Sequence, residues 1–475
     1  VRRVDPLRGS TPRAALERFA VTAAARLAEH ALTTRFEDLS PEAVRAAKIF
    51  ILDSIGVGIA GSSVSGADKL LAVATGWGSQ PETQVWGRAA RLAAPAGAFL
   101  NAWQMHNQEF DCLHEGAVVH GLACVFPASL AAAERCGGID GRALITAVAV
   151  GADIAAGLGL ASRAGLRFFR PATAGGFGAV AAAGRILGLD RAALEAAFAW
   201  QLAQASGTMQ AHTEGSPILP VQVGFNTRAA LQSCELAGIG FAPAREVFEG
   251  AYGYLALFEA AFDLAPVLRD LGQVWRIAEF SHKPFPSGRA THGGIEGVMA
   301  LRDAHGFGAD DVAEIVLSAP PLIRRLVGRP PVANPDASYA RLCAAYLIAK
   351  VLQHGEITIA QFAEAARADP RTLALAALVR VVDDANPDPN ALAPQSVSVR
   401  LTDGTTLTWR CDTMLAHPSR PLSSEEYLKK FRRCLEFAAT ALRADAAGQL
   451  QEQIDALERV EDVRALAGLA AGLPA

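Results

Sequence analysis

The chain has 475 residues, long for a single compact core, so two domains are expected. Hydrophobic residues make up 51% and charged residues 19%, which supplies a buried interior and excludes general disorder. A net charge of -4 with scattered Lys and Arg gives no footprint for nucleic acid or an anionic membrane.

The opening "VRRVDPLRGSTPRAALERF" carries charge with no long apolar run behind it, unlike a secretory signal. From about Thr11 to Ala261 apolar residues recur with a period near 3.6, separated by Gly and Pro, which predicts helices. In "SPEAVRAAKIFILDSIGVGIAG", Ser40 suits the N-cap, Pro41 the first helical position and Glu42 the first turn. The segments 140–162 and 176–207 are apolar on nearly every face, as interior helices are. Charged residues and Gly punctuate such stretches, so no membrane span is predicted.

After about Phe280 the pattern changes. "AEIVLSAP" (313–320) alternates as a strand, and "SVSVRLTDGTTLTWRCD" (396–412) reads as a hairpin turning at Asp403-Gly404. Helices are expected near 293–305, 338–353 and 359–367, and a last helical segment runs from about Ser423 to Leu466. Its basic run "LKKFRR" (428–433) reads as a solvated face. The expected fold is mostly α with an α+β insert: a helical domain from segments 11–279 and 413–470, and a smaller α/β lid domain over 280–412. The cleft between them is where a ligand is expected. Seven cysteines, at 112, 124, 136, 234, 343, 411 and 434, form no C-x-x-C pair and predict free thiols in a reducing, cytoplasmic compartment.

Four stretches concentrate chemistry. In "HNQEFDCLHEGAVVHG" (106–121), His106, Asp111, His114 and His120 can converge through a loop on a metal, face solvent, or form an acid/base site. The acid/base reading is preferred: the last two histidines are six apart, unlike H-E-x-x-H, and a His flanked by carboxylates titrates near neutrality. In "FSHKPFPSGRATHGG" (280–294), Pro284 and Pro286 stiffen the chain and hold Lys283 and Arg289 on defined paths, or the stretch is an ordinary crossing loop. In "RFFRPATAGGFG" (167–178), the glycines before an apolar helix suggest either an anion-binding helix start beside Arg170 or mere close packing. In "MQAHTEGSPILPVQVGFNTRAAL" (209–231), a loop with His212 and Glu214 leads into a helix at about Asn226.

Taken together and in this order, the four stretches resemble the MmgE/PrpD family. Its first motif, N-G-x-x-x-H-x-x-D-F-D-D-T-H-x-G-x-x-x-H-P, is matched by Asn101, His106, Phe110, Asp111, His114, Gly116 and His120. Glu109 and Cys112 stand at two of its aspartates. Its second, K-P-Y-P-x-x-R-x-x-H, is matched by Lys283, Pro284, Pro286, Arg289 and His292. The resemblance covers about Thr22 to Leu435 and implies a helical domain with a lid, a homodimer and no cofactor or metal. The departures are informative. Phe169 replaces the histidine of F-H-P-T-A-T, Gly288 replaces a decarboxylase-like histidine, and Leu219, Pro220 and Gln222 replace a Lys, an Arg and a His.

A site pruned in this way suits proton removal and return better than dehydration. The resemblance therefore implies a cofactor-independent epimerase acting on a small-molecule polycarboxylate amino acid, iminodisuccinate. The alternative is a hydro-lyase acting on a 2-methylcitrate-like tricarboxylate. A metal-dependent hydrolase and a catalytically silent binding protein are the readings outside the family's chemistry. Under the resemblance His120 and Lys283 transfer protons, Asp111 orients His114 or His120, and Tyr346 reaches in from the lid. Arg170 and Arg289 clamp carboxylates, and His106, His292 and Gln222 complete the substrate contacts.

Overall fold

Helix starts follow the capping residues closely. In the computed structural model, which describes residues 21–472, Ser40 Oγ accepts a hydrogen bond from Ala43 N at 3.2 Å and opens the helix Pro41–Gly61. Asp140 and Asp190 cap Gly141–Leu160 and Arg191–Gln204 in the same way, each at 2.8 Å. Residues 11–20, expected to begin the helical segment, lie outside the described residues.

The body is built around α1 (Pro41–Gly61), α2 (Ala94–His106), α3 (Leu122–Arg135), α4 (Gly141–Leu160), α5 (Arg170–Ile186) and α6 (Leu219–Ala237). Helix α4 is the one described helix long and apolar enough to cross a membrane, and 89% of its most apolar window is buried inside the protein, so it is a core helix. It meets α5 so closely that a Cβ on Gly178 would stand 2.3 Å from the Gly151 carbonyl oxygen. This corrects the reading of "TAGGFG" as a helix start. Helix α5 begins at Arg170, three residues before that run, and the glycines lie inside it as packing devices. Helix α6 likewise begins at Leu219 rather than near Asn226, because Pro220 occupies its first turn.

The lid carries a four-stranded sheet, β1 (Val312–Ala319), β2 (Val379–Asp383), β3 (Gln395–Leu401) and β4 (Thr406–Cys411), in the order β2-β1-β3-β4. β1 pairs parallel with β2 (Ile315 opposite Val379) and antiparallel with β3 (Ile315 opposite Val399), and β4 closes the hairpin across Gly404. β2 has no counterpart among the expected strands because it is five residues long at the sheet edge, too short to show a period. Val312, Ile315, Leu317 and Ala319 point into a core with helices His292–His305 and Ala344–His354.

The apolar side chains fall into two main groups. The larger runs from Ala23 to Phe280 and takes in Phe431, Leu450, Ile454 and Leu466, so the first and last chain segments share one interior. The other holds residues 285–414 and is joined by Val118 and Leu166, while Leu342 crosses to the larger one. The fold is thus mostly helical with a mixed α/β insert. One correction concerns "LKKFRR". Lys429, Arg432 and Arg433 of the helix Ser424–Leu435 do face solvent, but Lys430 is buried, 2.7 Å from Asp53 Oδ1, and donates to the Phe110 carbonyl at 2.8 Å. The last segment therefore grips the loop that follows α2.

Candidate active site

That loop, 107–121, is the centre of the chemistry. It leaves α2 at His106, forms a two-residue ladder with the start of the lid segment (Leu113 opposite Ser281, His114 opposite Phe280) and enters α3. Glu109 and Val118 adopt left-handed backbone, φ 50° and 52°. Each such residue costs about 1–3 kcal/mol unless its surroundings hold it, and strain of this kind gathers at functional sites.

Asp111 Oδ2 accepts from two imidazoles, His106 Nδ1 and His120 Nδ1, both at 3.0 Å. The rings stand perpendicular with centroids 4.9 Å apart. Lys283, wholly buried, donates to Glu109 Oε2 at 3.0 Å and to the Glu109 carbonyl at 3.1 Å, and lies 3.9 Å from Asp111 Oδ1. His106 Nε2 is 3.6 Å from Glu109 Oε1. Two carboxylates, two histidines and an ammonium thus share one buried patch.

The environment splits the two histidines. Burial lowers the His120 pKa, and the Lys283 cation adds to this against Asp111, leaving it below its usual 6.5. Burial also works on His106, but Asp111 and Glu109 outweigh it and the net shift is upward. Burial would raise both carboxyls, yet Lys283 and the histidines bring Glu109 down to about 2, and the two histidines hold Asp111 well below the usual range. His120 is therefore a neutral imidazole whose Nδ1–H is fixed on Asp111, which leaves Nε2 as a free base.

Nε2 faces the cleft between the two apolar groups. Glu109, Val118, His120, Leu166, Phe169, His212, Gly288, Arg289 and Leu342 line that cleft. His212 is a second neutral imidazole, pushed down to about 4 by burial and Arg329. His106, Asp111 and His120 form the one metal-like donor set among the described residues. Its carboxylate oxygen is already shared by two imidazole N–H groups, and the Lys283 ammonium 3.9 Å from Asp111 Oδ1 opposes a further cation. The arrangement suits proton transfer better than ligation.

Several residues singled out by sequence are placed elsewhere. Arg170, in place of clamping substrate, is fully buried and saturated: it donates to Glu259 at 2.8 and 3.0 Å, Ser162 Oγ at 2.8 Å, and the Ala164 and Ala117 carbonyls. Arg289 reaches the cleft, but its charge is met by Glu115 at 2.7 Å and by the Leu415 carbonyl. His292 bonds the Ser287 carbonyl and packs on Arg289, so it supports that cation rather than the substrate. His114 pairs with Glu279 at 3.0 Å and accepts from Ala117 N, so Asp111 orients His120 and His106, not His114. Gln222 exchanges hydrogen bonds with the Thr208 backbone. The Tyr346 hydroxyl donates to the Gln361 carbonyl at 2.6 Å, and its ring lines a separate hollow of the lid.

Glu109 and His212 line the cleft although the sequence gives neither of them a definite role. Glu109 had a signal, standing where the family motif has an aspartate. His212 had none beyond being a histidine in a loop.

The fold and the site define a cleft between a helical body and a mixed lid, with a buried acid/base cluster at its floor. Residues 25–266 match the MmgE/PrpD N-terminal domain and residues 285–458 the MmgE/PrpD C-terminal domain, so the chain belongs to the MmgE/PrpD family. It is 28% identical to cis-aconitate decarboxylase of Mus musculus, over 90% of this chain and 89% of that protein. It is 27% identical to the Homo sapiens cis-aconitate decarboxylase, with 91% of each covered. With the Aspergillus terreus enzyme of the same name it shares 24% identity over 90% of this chain and 92% of that one.

Proposed function

We propose that the protein is a cofactor-independent lyase of a small tricarboxylate, in which His120 handles the proton at a carbon beside a carboxylate. The observation that carries this is the free Nε2 of a neutral His120 held by Asp111 at 3.0 Å on the floor of the cleft. The relatives named cis-aconitate decarboxylase make cis-aconitate the first substrate to try. In a decarboxylation the bond to one carboxylate breaks, carbon dioxide leaves, the electron pair delocalises into the remaining conjugated system, and carbon is protonated by a solvent proton that His120, neutral at rest, first takes up at Nε2 and then passes on. In a dehydration neutral His120 takes the proton first, the pair forms the alkene, and hydroxide departs with a proton from the site.

The test is proton NMR of the purified protein with cis-aconitate and, separately, 2-methylcitrate. Loss of carbon dioxide with new vinyl protons supports the first, and a new alkene from 2-methylcitrate supports the second. Turnover of neither removes the proposal.

One observation favours a second reading, epimerisation of iminodisuccinate. Phe169 lines the cleft where a family motif has histidine and Gly288 lines it where the decarboxylase-like members have one, and an epimerase needs fewer acid groups than a lyase. In deuterated water it would place deuterium at the α-carbon and yield a second diastereomer with no alkene. A homodimer belongs to the same proposal, supported by the exposed rings of Trp77 and Phe225, which Arg228 bridges by stacking on both. Sedimentation at micromolar concentration tests it.

A further inference from the structure

The buried arginines of the described residues are Arg88, Arg170, Arg276, Arg289 and Arg341. The first four each pair with a carboxylate: Asp68, Glu259, Asp153 and Glu115. Arg341 has no such partner among the described residues. One Nη donates to the neutral Gln108 side chain, the guanidinium lies over the Phe362 ring at 4.4 Å, and Nε is buried with nothing to bond. An uncompensated buried cation is costly, and proteins keep one where an anion arrives to complete it.

Its position fits that explanation. The Arg341 carbonyl accepts from Gly288 N, the next residue, Leu342, lines the cleft, and Gln108 is the neighbour of Glu109. Arg329, in the same lid segment, is left short of partners in the same way. It gives one Nη to the His212 and Leu326 carbonyls, both residues of the cleft wall, while its Nε and other Nη are buried without partners. Glu109 acts electrostatically on both guanidiniums and is already bonded to Lys283 on its other side.

We propose that Arg341, assisted by Arg329, binds a carboxylate of the substrate that takes no part in bond breaking, and so selects tricarboxylates over dicarboxylates. This rests on the reading of the cleft as a tricarboxylate site. A planar guanidinium with spare N–H donors meets a carboxylate in two parallel bonds, which a lysine cannot reproduce. Burial pulls the Arg341 guanidinium down to about 10, still fully charged at neutral pH.

The probe is tricarballylate, a saturated tricarboxylate that cannot lose water, titrated calorimetrically into the wild-type chain, Arg341→Gln, Arg341→Lys and Arg329→Gln. Arg341→Gln is expected to bind about tenfold to a hundredfold more weakly, the loss for a charge-assisted pair. Arg341→Lys should recover only part of it, and succinate should bind all forms alike. Arg329→Gln, at a half-buried position, carries the test if Arg341→Gln does not fold. Unchanged tricarballylate affinity in the variants overturns the inference alone. Absence of tricarballylate binding to the wild-type chain overturns the tricarboxylate reading and the inference with it.

Discussion

The body and the lid treat buried positive charge differently. On the body side Arg170 is locked to Glu259, with almost every donor used. On the lid side Arg341 and Arg329 keep buried donors with no partner. A saturated cation holds the architecture, whereas an unsaturated one is available to a ligand. Burial and charge alone do not tell the two apart; the count of unused hydrogen-bond donors does.

Experiments that break this contrast can be ranked by size. Asp111→Asn removes the charge that both imidazoles lean on and frees the His120 tautomer, so turnover should fall about 100- to 10,000-fold in steady-state assays. Arg170→Ala should cost about 3–5 kcal/mol in urea unfolding, because it strands the Glu259 carboxylate in the interior. KM in the folded fraction should hardly change, the reverse of what a substrate clamp would show. Arg341→Gln should show the complement: a tenfold or larger rise in KM, as roughly expected for a lost charge-assisted bond, with the melting temperature held or raised because an uncompensated buried charge is removed.

The pH profile sharpens the same point. His120 abstracts a proton only when neutral, and its pKa is lowered below 6.5, chiefly by burial and then by Lys283. The rate of a proton-abstracting reaction should therefore be flat at neutrality and fall as pH drops through that lowered value. Lys283→Met removes the cation, so the acid limb should move to higher pH. A limb that stays put would separate His120 from Lys283. The smallest effect is expected from Tyr346→Phe, which deletes one hydrogen bond to the Gln361 carbonyl: about 1 kcal/mol of stability by thermal melting, with kcat unaltered.

Local features were legible wherever neighbouring residues decide them. Ser40 and Asp140 announce their helices through their own capping bonds, and Gly404 announces its hairpin because the turn requires a left-handed residue. The stretch 106–121 drew attention because its ionisable residues are crowded in sequence, and three of them, His106, Asp111 and His120, do meet. The glycines of α5 are ambiguous in sequence because the same residues serve a helix start and a close helix crossing. Only the approach of α4 distinguishes these uses.

The helical class, the α/β insert, the family and the loop that carries the acid/base pair follow from the order of amino acids alone. These depend on residues a few positions apart or on motifs read in order. Tertiary structure decided which charges are neutralised and which are left for a ligand. Arg170 meets Glu259 across 89 positions, Arg289 meets Glu115 across 174, and Arg341 reaches Gln108 across 233. Hydrogen bonds act only over about 3 Å, and such distances between remote segments are set by how the body and the lid pack together.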